Sequence, residues 1–358
     1  MSFSFEHGGD LEKAARLAGC DPAEITDFSN LLNPLGWPTG LEEVLRPRLD
    51  SAFRHPSSGV ALKLKIAEKL DVLPEQIFLG AGTTEFIHFL PLFHKPQKPV
   101  IVGPTYGDYA PALRRLGVEP TWLLALEENN WVISAEQWKD CLQEKPDWMI
   151  LSRPNNPLGQ SIDRSLLWEM IQQHPAIFFV VDETCIEIAD DPADHFILKP
   201  WPANLAMLRS FSKTYAVPGL RLGYMVVSPE TAPLIKTLQM PWTVSPLAQV
   251  AGLYLLHQDD WLAESQKKNR GEKENVFAQL QFLKNFKTFA SSLTAFTMRG
   301  LNPHFSSTDF LRELLMEEKI LIRSLAGHPG LGESYFRVGL RKPLENEKLL
   351  KALRKRDS

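Results

Sequence analysis

The chain has 358 residues, 44% of them hydrophobic and 23% charged, the composition of a globular protein with a sizeable core. Its formal net charge of -4 carries no basic excess, which argues against a nucleic-acid partner. The longest apolar runs, such as Ile177–Val181, are far too short to span a bilayer, and residues 1–10 lack the cationic start and apolar stretch of a signal peptide. The three cysteines, Cys20, Cys141 and Cys185, are scattered, so neither disulfides nor a metal site are expected. These features describe a cytoplasmic protein.

Taken in chain order, Asn30–Gly40 reads as an ordered loop. From about Leu62 to Val250, short apolar runs alternate with amphipathic segments. Pro99–Tyr106, Thr121–Leu126, Asp147–Pro154, Ala176–Glu183, Leu205–Phe211 and Arg221–Val227 read as strands. Several are apolar almost throughout, as strands covered on both faces must be. Helices are expected over Thr84–His94, Tyr109–Leu116 and Asp163–Gln173. This alternation predicts an α/β fold with a mostly parallel sheet, whose functional residues lie at strand carboxyl ends. After Asp259 the pattern changes to a long polar helix (Asp260–Leu283), a helix over Thr308–Glu318, strands over Lys319–Arg323 and Tyr335–Leu340, and a closing helix. The expected division is an arm over residues 1–40, a large domain over 41–258 and a small α+β domain over 259–358. The basic cluster Lys351–Arg356 is the solvated face of the last helix.

The segment Arg209–Tyr224, RSFSKTYAVPGLRLGY, isolates Lys213 among small hydroxyl residues and follows it with Arg221. A lysine amine that can be neutral forms a Schiff base with a carbonyl. Pyridoxal 5'-phosphate needs such an amine, a carboxylate for its pyridine nitrogen, donors for its phosphate and a flat surface for its ring. Asp182, ending an apolar strand, suits the pyridine nitrogen. Gly82, Thr83 and Thr84 open a helix whose backbone N–H groups can hold a phosphate. Ser210, Ser212 and Arg221 add phosphate donors, Arg221 in the bidentate geometry it favours. Tyr106 suits ring stacking and Asn156 a bond to the ring hydroxyl. Each signal alone also fits an ordinary turn or core residue; their joint order makes the case.

These motifs, with SFSK, PNNP, VDE and PTY, resemble the fold-type I pyridoxal-phosphate enzymes, in the aminotransferase class that contains the histidinol-phosphate aminotransferases. The resemblance covers nearly the whole chain. HGGD (His7–Asp10), Asp27–Gly36, Gln239–Gln249, Ile320–Ser324 and Pro329–Arg341 are more similar to the threonine-phosphate decarboxylases of cobalamin biosynthesis. That resemblance implies a large domain with a mostly parallel sheet plus a smaller one, and a homodimer. It also implies a phosphorylated amino-acid substrate, with Arg337 at its carboxylate, His7 and Arg323 at its phosphate, and Asn156 in contact. The expected reaction is decarboxylation of L-threonine O-3-phosphate; the alternative is amino transfer from histidinol phosphate or a related amino acid. Several positions depart from the pattern. Leu31 replaces an asparagine, His55 a tyrosine, Cys185 a tyrosine or phenylalanine, Ala81 an asparagine, Leu158 a threonine and Arg153 an asparagine.

Overall fold

The structure, a computed structural model, describes residues 5, 7–192 and 201–357, so most of the first six residues read for a signal peptide lie outside it. Among the described residues the strands are, in chain order, β1 (Thr26–Asp27), β2 (Ile77–Gly80), β3 (Pro99–Gly103), β4 (Thr121–Leu124), β5 (Trp148–Ser152), β6 (Phe178–Asp182), β7 (Leu205–Ser210) and β8 (Gly223–Val227). They continue as β9 (Phe286–Thr288), β10 (Ala295–Gly300), β11 (Ile320–Leu321), β12 (Arg323–Ser324) and β13 (Tyr335–Gly339).

The larger sheet has seven strands in the order β2-β8-β7-β6-β5-β3-β4. Only β8 runs against its neighbours, pairing antiparallel with both β2 and β7. Each central strand is buried on both faces, which is why its sequence is apolar throughout rather than alternating. In β6, Phe179 and Val181 join a core with Met149, Leu151 and Met207, while Phe178 and Val180 join another with Ile150, Ala206 and Leu208. Helices supply the other side of both cores, among them Thr83–His94 and Arg164–Gln173, close to their expected limits. Val60–Leu70, Ala135–Gln143 and Pro246–Leu255 are further helices that the apolar spacing alone did not single out.

The second sheet is antiparallel, in the order β12-β13-β10-β9. Phe336 and Val338 of β13 point into a third core, built by the helices Ser307–Glu318 and Pro343–Lys355 together with Ala14, Ala15 and Phe28 from near the start of the chain. The single strand expected over Lys319–Arg323 is two short ones: β11 pairs parallel with β1, and β12 pairs with β13. Ile322 between them turns into the core, so one run of sequence serves two sheets.

Candidate active site

The sheet topology gathers the candidate residues at one edge. From β3 the chain steps outward to β4 and then back through β5, β6 and β7, leaving a crevice beside the ends of β3 and β5. Tyr106 follows β3, Asn156 follows β5, Asp182 ends β6, and Lys213 follows β7. The antiparallel β8 begins at this same edge, with Gly223 level with both Gly80 and Ser210, and so brings in Arg221. One cleft there is lined by all thirteen residues singled out in the sequence: His7, Gly82, Thr83, Thr84, Tyr106, Asn156, Asp182, Ser210, Ser212, Lys213, Arg221, Arg323 and Arg337.

Lys213 sits in the helical turn Phe211–Thr214, which Ser210 caps by accepting a bond from the Ser212 N–H. Burial holds the lysine amine below its ordinary range, and the charges of Arg337 and Arg221 push the same way against the opposing pull of Cys185 and Asp182. Asp182 is 6% exposed. Burial raises its carboxyl, while bonds from the Tyr109 hydroxyl (2.7 Å) and the Thr184 N–H (3.0 Å) favour the ionised form.

The helix Thr83–His94 starts at Gly82 without a side-chain cap, leaving its first N–H groups without a side-chain partner at the cleft. Arg221 lies against this turn, its Nη2 donating to the Ala81 carbonyl at 3.2 Å. A β-carbon at Gly223 would lie 2.9 Å from both the Gly82 carbonyl carbon and the Thr83 nitrogen, so only glycine lets β8 approach this turn. Ala81 costs nothing here, since its backbone alone is used: the N–H donates to Glu85 and the carbonyl accepts from Arg221.

On the facing side, Arg323 and Arg337 are register partners on β12 and β13. Arg337 bonds Asn156 Oδ1 through Nη1 and donates from Nη2 to the Ser29 carbonyl at 2.6 Å, while its buried Nε has no partner among the described residues. Burial, then Arg323, lowers its guanidinium to about 10. It is therefore a central-strand residue aimed at the cleft, not an edge-strand charge. Arg323 donates to the Phe5 carbonyl at 2.5 Å, and the exposed His7 lies 3.6 Å from Asp108. The Tyr106 hydroxyl donates to Asp108 at 2.8 Å, and its ring meets Tyr109 edge-on.

Among the cleft residues missed in the sequence, three bear on its chemistry. Tyr109 and Thr184 support Asp182, and His328 sits beside the two arginines, its imidazole lowered to about 4 by burial and by their charge. Tyr109, three residues after Tyr106 at a helix start, was the one with a readable signal. The departures also separate. Leu31 and Cys185 share one small apolar cluster at the cleft, so the two replacements belong together. Leu158 packs in a core with Trp131 and Phe289. His55 does not line the cleft; it stacks on Trp242 at 4.7 Å.

The family model for class I and II aminotransferases matches residues 53–353. The chain belongs to that family. Pyridoxal 5'-phosphate is the cofactor of the class I and II aminotransferases, and the cleft fits it: a half-buried amine, a buried carboxylate, and an uncapped helix start beside Arg221. Among relatives, the chain is 32% identical to a threonine-phosphate decarboxylase from Salmonella typhimurium, covering 98% of this chain and 96% of that one. It is 30% identical over 351 residues to an adenosylcobalamin biosynthesis bifunctional protein from Leptospira interrogans, 97% of this chain but only 40% of that longer protein. The solved structure of L-threonine-O-3-phosphate decarboxylase from Porphyromonas gingivalis matches with a TM-score of 0.81 at 25% identity, over 92% of this chain and 98% of that one. Histidinol-phosphate aminotransferases are also among its relatives. Among the described residues no helix is long and apolar enough to cross a membrane, and no cluster of three or more His, Cys, Asp or Glu is arranged to hold a metal ion.

Proposed function

We propose that this aminotransferase-family enzyme decarboxylates L-threonine O-3-phosphate to (R)-1-amino-2-propanol O-2-phosphate in cobalamin biosynthesis. The observation that carries this reading is the pairing of Arg323 with Arg337 in one cleft that also holds Arg221. With Arg221 given to the cofactor phosphate, two guanidinium groups remain for a substrate with two anionic groups, a carboxylate and a phosphate. His7 adds a donor at the open end of the cleft.

Bound pyridoxal 5'-phosphate would supply an aldehyde for the substrate amine and a ring that takes up the electron pair of the broken bond. Lys213, whose amine burial holds below its ordinary range, would link to the cofactor aldehyde and could hold the proton that returns to the substrate carbon. Asp182, oriented by Tyr109 and Thr184, would keep a proton on the ring nitrogen. Arg337, oriented by Asn156 and Ser29, grips the substrate near its carboxylate. Ser210, Ser212 and the start of helix Thr83–His94 would complete the cofactor-phosphate donors, and Tyr106 would stack on the ring.

The orientation of the bound substrate would decide the reaction, and decarboxylation and amino transfer share these residues. Incubation of the cofactor-loaded enzyme with L-threonine O-3-phosphate is the test. Release of CO2 with aminopropanol phosphate supports the decarboxylase. Its absence, with keto-acid-dependent amino transfer from histidinol phosphate, moves the assignment to an aminotransferase. The division of the chain near residues 40 and 258, a homodimeric assembly and a cytoplasmic location belong to the same reading.

A further inference from the structure

Arg153 has no part in the proposed reaction, yet it is 0% exposed, and a buried guanidinium demands partners. Its Nη1 lies 3.5 Å from Glu183 Oε1, and its Nε donates to the Ile162 carbonyl at 3.0 Å. Glu183, also 0% exposed, directly follows Asp182. Its other oxygen accepts from Arg209 Nε at 3.0 Å and lies 2.7 Å from Nη2. Arg209 turns Nη1 to Glu187 Oε1 at 2.6 Å. Glu187 Oε2 accepts from the Thr214 hydroxyl at 3.2 Å, and Thr214 directly follows Lys213. These side chains thus follow one another in a run that starts beside Asp182 and ends beside Lys213.

The backbone is tied into the same run. The Arg153 N–H donates to the Asp182 carbonyl at 2.8 Å, and Gln266 from the helix Asp259–Leu280 donates to the Glu187 carbonyl at 2.7 Å. Apolar packing would hold these strands together equally well, and buried ion pairs are seldom the more stable choice. What a guanidinium fork adds is direction, since its planar donors meet carboxylates in fixed geometry. Asp182 ends β6 and Lys213 sits in the helical turn after β7, so the segments that follow these two strands set their separation.

We propose that Arg153, Glu183, Arg209, Glu187 and Thr214 form a positioning network that fixes Lys213 relative to Asp182. The proposal rests on these two residues serving the cofactor, not on which substrate is used. The charged and titratable groups acting on Lys213 directly are Asp182, Cys185, Arg221 and Arg337, none of them a network member. Network variants therefore act on Lys213 chiefly through its placement.

The test uses the full-length, cofactor-loaded enzyme and follows the pH midpoint of the visible band of lysine-bound pyridoxal phosphate, alongside the thermal midpoint. Thr214→Val removes one hydroxyl at nearly constant volume, and Glu187→Gln removes one charge. Both should displace the band midpoint by about half a pH unit or more. Thr214→Ser should restore the wild-type midpoint. Wild-type midpoints in both variants, whatever their thermal stability, would overturn the proposal and leave a purely structural network. Should Glu187→Gln fail to fold, Thr214→Val decides alone. An enzyme inactive on L-threonine O-3-phosphate would sink the proposed reaction and leave this comparison intact.

Discussion

Gly82 and Arg221 approach so closely that a β-carbon on the glycine would lie 2.4 Å from the Arg221 Nη2. Gly82 also has φ +78°, a conformation that side chains with a β-carbon adopt at a cost of about 1–3 kcal/mol. The glycine thus lets the guanidinium approach the helix start, where the two could hold one phosphate together. Gly82→Ala should weaken cofactor binding about tenfold or more, given this cost and about 1.4 kcal/mol per tenfold. Titration of the apoenzyme with pyridoxal 5'-phosphate checks it; unchanged affinity would show that the close approach is not needed.

Lys213→Ala should abolish both turnover and the visible band of the lysine-bound cofactor. The fold should persist, because among the described residues no ion pair holds the lysine and its turn is capped through Ser210. A band surviving in the variant would remove Lys213 from its role.

Arg337→Met should raise KM for the phosphorylated substrate far more than it changes cofactor affinity. Removing one partner of a buried charged contact costs about 2–5 kcal/mol. Steady-state kinetics beside cofactor titration separates the two. Equal losses in both would place Arg337 with the cofactor instead.

Leu31 is 1% exposed and packs with Cys185, Ile188, Ala189, Leu293 and Ala295. Leu31→Asn would set an amide against this apolar cluster, at a cost of about 1–3 kcal/mol where it goes unpaired. We expect lower stability in chemical denaturation with no gain in substrate affinity. A stable variant with a lower KM would mean that the position still faces the substrate phosphate.

His94 packs against Phe178 with ring centroids 3.6 Å apart, and its Nε2 is buried without a partner among the described residues. Burial lowers its imidazole to about 4, against a smaller opposing pull from Asp147. The folded state thus binds its proton less readily than the unfolded chain does. The stability this contributes is full above about pH 6.5 and is lost as pH falls toward 4. His94→Gln should lose less stability than wild type between pH 7.5 and pH 5 in urea unfolding. Equal losses would point to other groups, His328 first among them.

The sequence by itself determined the type of fold and the chemistry-bearing residues. Runs such as Phe178–Asp182 are apolar throughout because both faces are covered, and that pattern is written within five residues. Lys213, Asp182, Gly82 and Arg221 could be picked out as candidates because a cofactor imposes fixed residue types at strand ends, and the fold brings them to one cleft. Tertiary structure alone decided what depends on contacts between distant segments. The reversal of β8 brings Arg221 to the carboxyl edge, and the interior place of β13 turns Arg337 into the cleft. Tyr109 reaches Asp182 across 73 positions of sequence, and Arg153 meets Glu183 across 30. Local periodicity reports which face of an element is buried, not which distant group it meets there. That second choice is made by packing the whole sheet, and it fixed the surroundings of Lys213.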